Sequence, residues 1–225
     1  MEYEKKLRVF IYLAFLTVFV AGAGAGWRYY QENKNTLFSD QDKNKFIEIS
    51  DKTPEKTSEF HPPIGQAETR VTKKPFGMKV SPTSSPIQPE KFSGYHTGVD
   101  FETFPAEDDL EIPIFAICNG ILILKKQASG YGGVAVESCQ LENKGITVIY
   151  GHLNLESIFV GDGGVLYKGK QLGILGKGYS DETDGERKHL HLGIHKGKDI
   201  NLLGYTQNQN ELENWLDITQ YILKK

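Results

Sequence analysis

Between residues 188 and 195 the chain reads KHLHLGIH, a strict alternation of two residue classes. Leu190, Leu192 and Ile194 fall on one parity, and His189, His191, Gly193 and His195 on the other. Residues two apart share a face of a β-strand, so this strand buries its aliphatic side and turns its imidazoles towards an open groove. Two neutral imidazoles on one face make the start of a zinc site, but a pair cannot close a structural one. Further ligands have to come from elsewhere in the chain. A solvated strand face that happens to carry histidine is the plainer alternative.

From residue 71 onward, short apolar segments are divided by Gly, Pro and Asn, the texture of short strands and turns. Residues 71–80 read as a strand, a turn at Phe76-Gly77 and a second strand, and the Pro/Ser-rich residues 81–94 as a loop. Residues 112–118, 121–127, 133–138 and 146–150 read as four strands, with Asn119-Gly120 as a tight hairpin turn. Two more short strands surround Lys168-Gly169 in residues 160–176, and residues 213–222 form a short helix or capping segment. The 24 glycines suit a domain with many turns. No long amphipathic helix and no fixed repeat interrupts this pattern. The domain predicted over residues 61–225 is therefore all-β, a compact antiparallel sheet sandwich with a groove.

Residues 9–27, VFIYLAFLTVFVAGAGAGW, run for 19 positions without a charge, enough to cross a bilayer as a helix. Trp27, Tyr29 and Tyr30 follow at the expected interface. Residues 1–27 are read as a membrane anchor or a signal sequence, since small residues at 21–25 resemble a cleavage site. The polar residues 28–60 read as a tether. The expected location is the cell membrane, single-pass with the domain extracytoplasmic, or secreted if the N-terminal segment is cleaved. A net charge of −3 without a Lys/Arg cluster argues against nucleic acid as a partner. Cys118 and Cys139 can form a disulfide in an oxidising compartment; two buried thiols are the alternative.

Two further segments can supply ligands. In GYHTGVDF, residues 94–101, His96 and Asp100 lie four apart, and such positions share a face of an extended segment. In VIYGHLN, residues 148–154, His152 ends an apolar strand. His96, Asp100 and one histidine of the final pair give N, O and N donors with a fourth position left to water, the pattern of a catalytic zinc site. Taken singly, His96 is a surface turn residue and His152 a satisfied strand-end histidine. His61 sits at the linker edge and is no ligand, His195 lies on the groove rim, and Tyr95 and Tyr150 are packing residues.

In order, KPFGMKV, YHTGVDF, IFAICNGILI, SGYGGVAVES, YGHLN, VGDGGVLYKGKQLGILG and KHLHLGIH resemble the lysostaphin/LytM-type zinc metallo-endopeptidases that cut peptidoglycan cross-links. The resemblance covers residues 60–222. It implies that His96, Asp100 and His191 hold Zn2+, that His152 and His189 are catalytic partners which do not bind metal, and that peptidoglycan peptide stems are the substrate. No H-E-x-x-H occurs, so a glutamate base of the thermolysin kind is not on offer. The chain departs from many relatives at the charged DETDGERK, residues 181–188, and at the polar loop 201–213. Both flank the groove and bear on substrate choice. The alternatives are a non-catalytic cell-wall binding or hydrolase-activating module of the same fold, and a lipoyl-like carrier, which leaves the histidine-rich segments unexplained.

Overall fold

Aliphatic residues at every second position assemble one large sheet with two different faces. The computed structural model describes residues 60–222, so the predicted anchor and almost all of the tether lie outside the described residues. Among the described residues, no helix is long and apolar enough to cross a membrane. The strands are β1 (Lys79–Val80), β2 (Gly94–His96), β3 (Gly98–Glu102), β4 (Pro113–Phe115), β5 (Gly120–Ala128), β6 (Gly132–Leu141), β7 (Lys144–Gly151), β8 (Leu153–Asn154), β9 (Val165–Leu166), β10 (Gln171–Leu175), β11 (His189–Lys196) and β12 (Tyr205–Thr206). A six-stranded sheet runs β3-β11-β7-β6-β5-β9, beside three-stranded sheets β1-β2-β12 and β4-β10-β8. The pairings in all three are antiparallel.

One face of the large sheet carries the main core, where Val99, Phe101, Val148, Tyr150, Leu190, Leu192 and Ile194 pack with Phe60, Ile114 and Ile117. The other face carries a smaller cluster of Tyr131, Val134, Val136, Ile149 and Trp215, and leaves room for polar groups beside it. The alternation in β11 therefore does what its parity predicts: the leucines go into the main core and the histidines to the opposite face.

Two local expectations resolve differently. Asn119-Gly120 closes no hairpin, because β4 pairs with β10 while β5 pairs with β6 and β9. Asn119 Oδ1 instead accepts from the Lys168 backbone N–H at 3.0 Å, pinning a corner where the chain passes between sheets. The two short strands expected around Lys168-Gly169 are present as β9 and β10, and they belong to different sheets, β9 to the large one and β10 to a small one. The turn chemistry is as expected, but a tight turn serves a change of sheet as well as it serves a hairpin. Residues 71–78 form no strand, although the Lys74 carbonyl still accepts from Asp100 N–H at 3.0 Å along the edge of β3. Cys118 and Cys139 are joined by a disulfide.

One acidic residue lies within the main core. Glu137 is fully buried, its Oε2 accepts from the Tyr150 hydroxyl at 2.7 Å, and its Oε1 has no hydrogen-bond partner. Burial pushes its carboxyl from 4.5 up to about 7, against the opposing Tyr150 hydrogen bond. The folded state thus holds a proton that the unfolded chain releases above its ordinary carboxyl pKa. The contribution of Glu137 to stability is fully present at low pH and falls as pH rises from about 4.5 to about 7, by about 3 kcal/mol. Glu137→Gln should melt higher than the unaltered protein at neutral pH, with the difference vanishing near pH 4; melting curves across that range check this.

Candidate metal centre

The register of the large sheet builds the site. His191 in β11 stands directly opposite Asp100 in β3, and His189 opposite Glu102. Side chains directly opposite on one face have Cβ atoms about 4.5–5.5 Å apart, close enough for an imidazole and a carboxylate to meet. On its other side His191 faces Gly151 of β7. A Cβ at Gly151 would lie 2.5 Å from the Tyr131 ring, and one at Gly98 would lie 2.7 Å from the His191 imidazole. At Gly98 the Leu192 backbone carbonyl is nearer still, at 2.6 Å, so neither position has room for a side chain.

His96 arrives differently from expectation. A continuous strand would hold positions four apart about 13 Å from each other. The chain instead leaves the small sheet after β2, turns at Thr97 and enters the large sheet as β3, which brings His96 back over Asp100. His96 Nε2 then lies 3.3 Å from Asp100 Oδ1 and 3.0 Å from His191 Nδ1, and His191 Nδ1 lies 3.2 Å from Asp100 Oδ1. All three residues are buried.

That triangle matches the needs of an ion. A tetrahedral zinc with bonds of about 2.0–2.1 Å spaces its ligands about 3.3 Å apart. His96 Nδ1 sits 3.2 Å from the Pro75 carbonyl, a contact that requires a donor there and leaves Nε2 as the ring nitrogen turned to Asp100 and His191. Burial first, with the neighbouring His96 adding to it, lowers His191 to about 4, against the pull of Asp100, so it is a neutral imidazole at pH 7. Burial would raise the Asp100 carboxyl, but His189 and His96 beside it hold it well below its ordinary range. Two imidazoles and one carboxylate are the donor set that zinc takes. The described residues offer one other such group, Cys118, Glu137 and Cys139, but its two sulfurs are committed to the disulfide.

His152 and His189 stand together just outside the triangle, with ring centroids 4.2 Å apart. His152 follows β7 in a left-handed conformation, φ 64°, held by its N–H to the Tyr131 carbonyl and by its carbonyl to Gly176 N–H. Such backbone in a residue other than glycine is stored at sites where placement matters. Its Nδ1 is buried and has no protein partner, and burial together with His189 holds its pKa well below the usual histidine range. His189 Nδ1 lies 2.8 Å from the Arg187 carbonyl, and its Nε2 lies 3.3 Å from Asp100 Oδ2. The five residues named from the sequence thus meet in one place, His96, Asp100 and His191 converging on a point and His152 and His189 paired beside it.

The remaining sequence candidates lie elsewhere. His195 packs edge-on against Trp215 with ring centroids 4.9 Å apart and does not line the groove. Tyr150 sits in the main core, and Tyr95 carries Lys79 Nζ 5.2 Å above its ring. His61 stacks edge-on against Phe115. Three residues of the groove had not been singled out. Tyr131, in a turn recognised only by its glycines, lies with its ring centroid 5.3 Å from that of His191. Tyr205, in the polar loop, covers His96 at 5.2 Å and stacks on Phe92 at 5.4 Å. Arg187, in the segment expected to bear only on substrate choice, donates to Asp100 Oδ2 at 2.8 Å. The groove has a volume of about 280 Å³ and is lined by Phe92, Tyr131, Leu202 and Tyr205 together with the paired imidazoles.

The sequence profile of peptidase family M23 matches residues 94–202. Among solved structures, the chain is similar to LytU, at 20% identity over 68% of this chain and 83% of that one, with a TM-score of 0.46. It is also similar to the catalytic domain of the antimicrobial peptidase lysostaphin from Staphylococcus simulans, at 18% identity over 66% and 91% of the two chains and a TM-score of 0.44. Csd3 from Helicobacter pylori is 24% identical over 66% of this chain and 35% of its own, with a TM-score of 0.41. No curated protein matches the chain.

Proposed function

We propose, on the premise that this chain belongs to peptidase family M23 through residues 94–202, that it is a zinc-dependent endopeptidase acting on the peptide cross-links of bacterial peptidoglycan. The observation that carries this reading is the triangle of His96 Nε2, Asp100 Oδ1 and His191 Nδ1, with edges of 3.0–3.3 Å. These three atoms would hold the ion. When bound, zinc supplies Lewis acidity towards a carbonyl oxygen and makes water acidic enough to be deprotonated near neutral pH.

The chain's own residues do the rest. Phe92, Tyr131 and Tyr205, which line the groove, confine an extended peptide beside the ligand triangle. His152 and His189, neither of them in the triangle, take the proton of the attacking water and return it to the leaving amine. A ring N–H of the same pair donates to the oxygen of the scissile carbonyl as negative charge develops there. The depressed pKa of His152 keeps its imidazole neutral at pH 7, with Nδ1 free of any protein partner.

The full chain, purified in detergent, should release peptides from isolated peptidoglycan. A chelator should stop the release, and one equivalent of zinc should restore it. Wall binding without release would point to the non-catalytic module, and release unaffected by chelator would remove zinc from the account.

A further inference from the structure

We propose that Arg187 is a positioning residue that holds Asp100 so that only Oδ1 faces the ion; the inference rests on the zinc reading above. Residues 187, 189 and 191 share one parity, so Arg187 extends the groove face of β11 just before the strand begins. Across from it, Asp100 and Glu102 lie two apart on one face of β3, which sets two carboxylates side by side. Arg187 occupies the space between them and is 8% exposed. Its Nε donates to Glu102 Oε2 at 2.9 Å, its Nη2 to Glu102 Oε1 at 2.5 Å, and the same Nη2 to Asp100 Oδ2 at 2.8 Å.

The division of oxygens follows from this geometry. Glu102 neutralises the guanidinium, so the negative charge of Asp100 stays available to a cation. Oδ2 of Asp100 is taken by Arg187, with His189 Nε2 also 3.3 Å away, while Oδ1 points to His96 and His191. A carboxylate tied at one oxygen can bind an ion through the other only, and its plane cannot swing. Outer partners of this kind orient metal ligands and typically contribute about 10–100-fold to metal affinity. The planar fork of arginine can bridge two carboxylates at once, which the single ammonium of lysine cannot do in the same geometry. The backbone carbonyl of Arg187 also accepts from His189 Nδ1 at 2.8 Å, so one residue sets both a ligand and a neighbouring catalytic imidazole.

Zinc affinity measured by competition with a chelating dye, on the full chain in detergent, tests the proposal together with the visible absorption of the cobalt-substituted protein. Arg187→Met/Glu102→Gln removes the fork while leaving the local charge balanced. It should bind zinc roughly 10–100-fold more weakly than the unaltered chain and show an altered cobalt band as Oδ2 joins the coordination. Arg187→Lys, which retains the cation, should fall between the two, and it decides alone if the double variant does not fold. Affinities within about twofold of the unaltered chain, with an unchanged cobalt band, would reduce Arg187 to a structural ion pair while leaving the zinc reading intact. An unaltered chain that binds no zinc overturns both.

Discussion

His191→Ala should leave the full chain without stoichiometric zinc and without peptide hydrolysis above background. His191 supplies one of three donors on a site whose edges measure 3.0–3.3 Å, and no other described donor lies within that triangle. Losing a ligand outright should exceed the roughly 10–100-fold loss that follows from removing a residue which merely supports one. The fold should survive, because the imidazole lies on the groove face while Leu190 and Leu192 anchor β11 in the main core. Zinc content by elemental analysis and an unchanged far-ultraviolet circular dichroism spectrum separate loss of the metal from loss of the domain.

His152→Ala and His189→Ala should show the opposite pattern, with zinc retained and turnover lost. Neither ring contributes a donor to the triangle, so both variants should still load one zinc, His189→Ala more weakly than His152→Ala because His189 Nε2 lies 3.3 Å from Asp100 Oδ2. Proton transfer by a positioned side chain typically contributes roughly 10²–10⁴-fold, and a loss of that size in kcat is expected of each variant. With ring centroids 4.2 Å apart the two imidazoles act as a unit, so the double variant should be little worse than the more damaged single one. Zinc titrations and steady-state rates on the three proteins check both halves. Loss of zinc in His189→Ala with retention in His191→Ala would reverse the roles of the two.

The parity of residues 189–195 was legible because alternation is a local property, and it correctly separates the core leucines from the groove histidines. The partners of that strand were not legible from pattern alone. Asp100 faces His191 because of a register between strands 91 residues apart in sequence, and nothing near either residue signals it. The spacing of His96 and Asp100 pointed to convergence, but for an insufficient physical reason. The turn at Thr97 between two sheets brings them together, where a straight strand would have kept them apart. Arg187 was hidden by its company in DETDGERK, since a charged stretch reads as solvated surface. Its one visible mark was parity, two residues before His189 and so on the same face. Tyr131 was absorbed into a glycine-rich turn, and Asn119-Gly120 was taken for a hairpin because local turn chemistry does not say which strand comes next.

X-ray absorption at the zinc edge of the full chain, loaded with one equivalent of metal, tests the central claim most directly. Only light scatterers at about 2.0–2.1 Å are expected, with the outer-shell pattern of two imidazoles. A sulfur shell at about 2.3 Å, or a zinc environment unchanged in His191→Ala, would contradict it.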